Sequence, residues 1–110
     1  MSSLMNISYD IIQCANVSLA FDDGTVKKYT IAPGDIITVT YNYNGERRTE
    51  TGKVTKIVSD SVNSCCCDAN KWIMVIDASA YGGATLTRIT INKILDLSIV
   101  RKAADFSDIT

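Results

Sequence analysis

The stretch Asp35-Ile36-Ile37-Thr38-Val39-Thr40-Tyr41-Asn42-Tyr43, followed by Asn44-Gly45 and then Glu46-Arg47-Arg48-Thr49-Glu50-Thr51, decides the fold. Ile37, Val39, Tyr41 and Tyr43 share one phase of a two-residue period; Ile36, Thr38, Thr40 and Asn42 share the other. Successive side chains of a strand point to opposite faces, so this is a strand. Asn-Gly is the strongest short hairpin signal, because both residues tolerate the left-handed backbone of a type I′ turn. The chain then returns from Glu46 to Val58 as the partner strand. A two-residue loop sets Thr40 opposite Thr49 and Thr38 opposite Thr51, a polar ladder that leaves the tip in solvent. A one-residue bulge would change that register.

Working outward, Val17, Leu19 and Phe21 alternate with Ser18 and Ala20, and Asp22-Asp23-Gly24 supplies a turn before a strand from Thr25 to Ile31. Ala32-Pro33-Gly34-Asp35 is a corner suited to a type II turn. Downstream, Ser59 to Asn70 has little periodicity and reads as a long loop. Trp72-Ile73-Met74-Val75-Ile76 is apolar on both phases, as for a central strand covered on both sides. Tyr81-Gly82-Gly83-Ala84 forms a turn before a strand from Thr85 to Ile91. The segment Ile91 to Asp96 breaks alternation for one turn, which predicts a 3₁₀ turn between the last two strands.

Composition agrees. Ile, Val and Thr supply 33 of the 110 residues and Leu only 5, a balance that favours pleated sheet over helix. The expectation is one all-β domain over residues 1–110. Residues 1–16 are an N-terminal arm or first strand, 17–100 a barrel core and 101–110 a polar tail or short terminal helix. The net charge of −1 exerts no overall pull on nucleic acid or anionic membrane. No stretch reaches the roughly 20 apolar residues of a membrane span, and residues 1–10 carry no signal-peptide pattern, so synthesis in the cytoplasm is expected.

The order Pro33-Gly34-Asp35, Asn44-Gly45, Gly52-Lys53-Val54, a loop, an apolar strand and Ile91-Asn92-Lys93-Ile94-Leu95-Asp96-Leu97 resembles the small SH3-like barrels. The likeness runs roughly from Pro33 to Val100. It implies a partly open barrel with one 3₁₀ turn before the closing strand. Oligonucleotide-binding barrels and small β-sandwiches remain open as alternatives. The first 30 residues exceed a minimal barrel, which implies an added hairpin or a subunit-contact arm.

Catalysis is disfavoured. The absence of histidine removes the commonest general base and metal ligand, and the chain has no phosphate loop and no nucleophile–base arrangement. Cys65-Cys66-Cys67, with Cys14 far upstream, is the most unusual local feature. Adjacent residues of an extended chain do not easily wrap one tetrahedral ion, which sets zinc behind a reading of small loop residues, and a cytosolic redox poise sets cross-linking behind it too. No cofactor is expected. Asp22-Asp23 is explained by its turn.

Lys27, Lys28, Arg47, Arg48, Lys53 and Lys56 outnumber Asp35, Glu46 and Glu50 in the middle of the chain, with Tyr29, Tyr41 and Tyr43 between them. Tyrosines flanked by cations can stack bases and meet phosphates. Their strand spacing nevertheless assigns at least one pair to the core. Acidic residues among the cations dilute the field, so nucleic acid is the second reading. In overall style the chain resembles accessory proteins of tailed-phage particles, being a compact threonine-rich β-domain with arms at both ends. That resemblance implies a structural role in a capsid or tail, in the virion, with other subunits or further copies of the chain as partners. Contact candidates are Tyr41, Tyr43, Arg47, Arg48 and Lys53, together with the loop 59–70.

Overall fold

The alternation of residues 35–43 becomes a strand with Ile37, Val39 and Tyr41 buried, and the Asn-Gly turn has φ 51° at Asn44 and 85° at Gly45. The computed structural model describes residues 3–11, 14–60 and 71–103. In chain order the strands are β1 (Leu4–Ile11), β2 (Ala15–Phe21), β3 (Val26–Ile31), β4 (Ile36–Tyr43), β5 (Glu46–Asp60), β6 (Lys71–Asp77), β7 (Thr87–Thr90) and β8 (Ile94–Arg101). Single 3₁₀ turns occupy Ser79–Tyr81 and Ile91–Lys93, the second at the break in alternation. The triplet Cys65–Cys67, most of the loop 59–70 and most of the tail 101–110 lie outside the described residues.

The fold is all-β, in two antiparallel sheets ordered β1-β2-β3 and β7-β6-β5-β4-β8. Among the described residues no ladder joins the two sheets, so the architecture is an open barrel or small sandwich rather than a closed barrel. The β4–β5 register is that of the two-residue loop, with Thr40 opposite Thr49 and Thr38 opposite Thr51. A bulge falls further on, between Val54 and Lys56, where Thr55 Oγ1 donates to the Val75 carbonyl at 3.1 Å. There the 15-residue β5 leaves β4 and takes β6 as its partner.

One core fills the space between the sheets. Ala15, Val17, Leu19, Phe21 and Ile31 come from the first sheet; Ile37, Val39, Tyr41, Val54, Met74, Ile76, Ile89, Ile94 and Leu97 come from the second. Each fully buried Ile or Leu contributes about 1.5–3 kcal/mol, which is why alternation, not intrinsic propensity, dictates the strand faces. Ile73 and Val75 are buried on the reverse face of β6, as the doubly apolar run predicts. The N-terminal residues form a strand, β1, paired antiparallel with β2, so the segment before the barrel-like half is a three-stranded sheet.

On the other face of β4 and β5 the threonine ladder is hydrogen-bonded, with Oγ1 atoms 2.8 Å apart for Thr38 and Thr51 and 3.1 Å for Thr40 and Thr49. Thr38→Val or Thr51→Val alone strands a half-buried hydroxyl and is expected to cost about 0.5–1 kcal/mol. The double Val variant replaces both partners by apolar groups of the same shape. Its measured cost in chemical denaturation should therefore fall below the sum of the two singles.

Candidate functional site

The Asn44-Gly45 turn closes the hairpin tip, where Asn42 Oδ1 accepts the Gly45 N–H at 2.9 Å. The five-stranded sheet curls so that β7 and the Ile91–Lys93 turn stand beside this tip. Between them lies a hollow of about 410 Å³ lined by Tyr41, Tyr43, Asn44, Arg88, Ile89 and Lys93, among others. A second hollow of about 370 Å³ is lined by Tyr41, Tyr43, Arg48, Glu50, Leu86 and Arg88, among others. Tyr41, Tyr43 and Arg88 are walls of both, making one groove.

Tyr41 is only 4% exposed and forms the floor. Burial first, then the charge of Glu50, push its hydroxyl above its ordinary pKa, with Arg48 pulling the other way, so it stays a neutral phenol. Tyr43 is 48% exposed, and the Arg48 guanidinium stacks over its ring, 4.6 Å from the centroid. Arg48 also stands 3.8 Å from Glu46, its neighbour but one on the same strand. Leu86 is 63% exposed at the rim. Neither Arg88 nor Lys93 forms an ion pair with a described carboxylate.

The contact candidates read from sequence separate into different places. Tyr43 and Arg48 meet in the groove, and Tyr41 lies beneath them. Arg47 is opposite Asn42 on the other face, with the threonine ladder. Lys53 pairs with Ile36 at the far end of the hairpin, about 24 Å from the tip at 3.4 Å per residue. The basic middle of the chain is therefore not one surface. Lys27 is further withdrawn, lying 3.8 Å from Asp96 and 5.2 Å from the Phe21 ring centroid. Cys14 is a half-buried free thiol, and no group of three or more metal-ligating residues occurs among the described residues.

Leu86, Arg88 and Lys93 carry no motif, and only the curl of the sheet sets them against Tyr43. Asp35 likewise gives no sequence signal of a structural centre, because it reads as one charge opening a strand. It is 1% exposed. Its carboxylate accepts the N–H groups of Ala32 at 2.9 Å and Ala103 at 2.8 Å and the Lys102 ammonium at 2.7 Å. Lys102 Nζ also donates to the Thr30 carbonyl, so one lysine ties the end of β3 to the end of β8. Burial works to raise the Asp35 pKa, but the bonds from Ala103, Lys102 and Ala32 outweigh it and hold the carboxyl below its ordinary value. This cluster anchors the end of β8 at the pole of the molecule opposite the groove. No family model, curated protein or solved structure matches the chain.

Proposed function

We propose that the chain is a non-enzymatic interaction subunit that docks other protein subunits of a larger assembly in the groove beside the β4–β5 hairpin. The observation that carries this reading is an exposed tyrosine, stacked by Arg48, on a tight-turn tip faced by two cations, Arg88 and Lys93, that have no ion-pair partner among the described residues. Aromatic and arginine side chains on a preorganised surface are the usual anchors of protein interfaces. The order β8-β4-β5-β6-β7, with a 3₁₀ turn between the last two strands, supports the SH3-like likeness. The resemblance in style to tailed-phage accessory proteins extends the reading to a capsid or tail setting.

Nucleic acid is the second reading, favoured by the Tyr43–Arg48 stack, on which a base could continue. Against it, Arg47 and Lys53 face away and Lys27 is drawn toward Asp96, leaving no continuous basic track among the described residues. Tyr43→Ala combined with Arg88→Glu touches no fully buried side chain, so the melting temperature should hold. Subunits cross-linked to the wild-type chain in its source cells should be lost from the variant. Retention of the same subunits by the variant would count against the groove. In parallel, a mixed-sequence single-stranded oligonucleotide should show no tight, steeply salt-dependent binding; if it does, the second reading replaces the first.

A further inference from the structure

Residues 104–110 read Ala-Asp-Phe-Ser-Asp-Ile-Thr, two carboxylates and no cation around one aromatic and one branched apolar side chain. Building on the groove reading above, we propose that this segment of one copy docks in the groove of a second copy, joining subunits tail to groove.

Charge complementarity selects the occupant. The groove presents Arg88 and Lys93, which have no described ion-pair partner, and Arg48, which Glu46 partly offsets at 3.8 Å, against Glu50, around exposed Tyr43 and Leu86. On docking, Phe106 would set its ring against Tyr43 and Leu86, and Asp105 and Asp108, one residue before it and two after it in sequence, would pair with the cations. The hollow on the three-stranded sheet does not compete, since it carries both Asp10 and Lys28 and favours neither sign.

Geometry points to a neighbouring copy. Asp35 pins Ala103 beside the start of β4, whereas the groove lies at the end of β4. These places are about 24 Å apart along the strand. Seven residues span at most about 25 Å when fully extended, so the segment reaches its own groove only as a taut line with no residue left to dock. A second copy's groove imposes no such limit. Because segment and groove are different surfaces, every copy can use both, and the contact generates a ring or an open chain.

The test uses the full chain in sedimentation velocity across a concentration series, and a labelled peptide with the sequence of residues 104–110. Wild type should self-associate and bind the peptide, both weakening as salt rises. Asp105→Lys with Asp108→Lys, and separately Arg88→Glu with Lys93→Glu, should each weaken self-association by about tenfold or more. All four changes in one chain should restore it, because the charges are exchanged rather than removed. A wild type that stays monomeric and ignores the peptide would overturn the proposal, as would association that persists in both reversed variants. Should that monomer still cross-link to its partner subunits through Tyr43 and Arg88, only the tail-to-groove contact falls and the groove reading stands.

Discussion

Asp35→Ala should lower the unfolding free energy by about 3 kcal/mol, read as a shift of the denaturation midpoint at unchanged slope. The substitution leaves the N–H groups of Ala32 and Ala103 without their acceptor at a site where Asp35 itself is 1% exposed. Each such orphan costs about 1–3 kcal/mol. Lys102 is half in solvent and recovers water, so its lost ion pair adds little. Asp35→Asn keeps an acceptor oxygen and should cost less. The carboxylate also imposes a pH dependence. Its pKa is lower in the folded than in the unfolded chain, so its stabilisation is complete above the unfolded value of about 3.9. It is lost as pH falls through the folded value, because the unfolded state takes up the proton first. Asp77, lowered by hydrogen bonds from the Ser79 hydroxyl and N–H, titrates in the same direction. Comparing wild type with Asp35→Asn below pH 4 therefore isolates Asp35, and the variant should lose stability less steeply. Equal slopes would refute the assignment.

Gly52→Ala is the second large effect. A Cβ at this position would stand 2.5 Å from the Asp77 carbonyl oxygen, 2.5 Å from Ile76 Cγ2 and 2.8 Å from Ala78 Cα. Two of those three atoms belong to the backbone, so no rotamer change relieves them. Gly52 is the point at which β5, still paired with β4, passes closely over the end of β6. Overpacking of this kind costs about 1–3 kcal/mol, and the backbone obstacle puts it at the upper end. For a domain of this size the melting temperature should drop by roughly 10–20 °C. Gly45→Asn is the control, because its surroundings are open and asparagine accepts positive φ. It should melt within a few degrees of wild type. A Gly52→Ala protein that melts with it would show that β5 need not approach β6 so closely.

The hairpin was legible because its signals are local. A two-residue period and an Asn-Gly turn determine register together, and the Thr38–Thr51 pair follows from counting. The 3₁₀ turn at Ile91 and the doubly buried β6 were legible for the same reason. Only the closing strand pair required more, since β7 is confined to Thr87–Thr90 where alternation extends from Thr85 to Ile91. The site was much less legible. Arg47 and Arg48 read as one basic unit, although the strand period itself sends neighbours to opposite faces. Leu86, Arg88 and Lys93 become partners of Tyr43 only through the curl of the sheet. Asp35 meets Lys102 and Ala103 across most of the chain, a relation that no window around residue 35 contains.

Among the described residues, every ladder but one joins strands consecutive in sequence; the exception lays β8 along β4, with Ile36 opposite Arg101. The meander can form from local hairpins, but this seam must bring together distant parts of the chain and pay its loop-closure entropy before any contact rewards it. Such a seam is expected to close late, after the folding transition state. The Asp35 cluster sits at its end. Stopped-flow measurements on Asp35→Asn should then show a folding rate close to wild type and a faster unfolding rate. On that account the buried carboxylate acts as a latch on the completed sheet: it slows escape from the native state and leaves the search for that state unchanged.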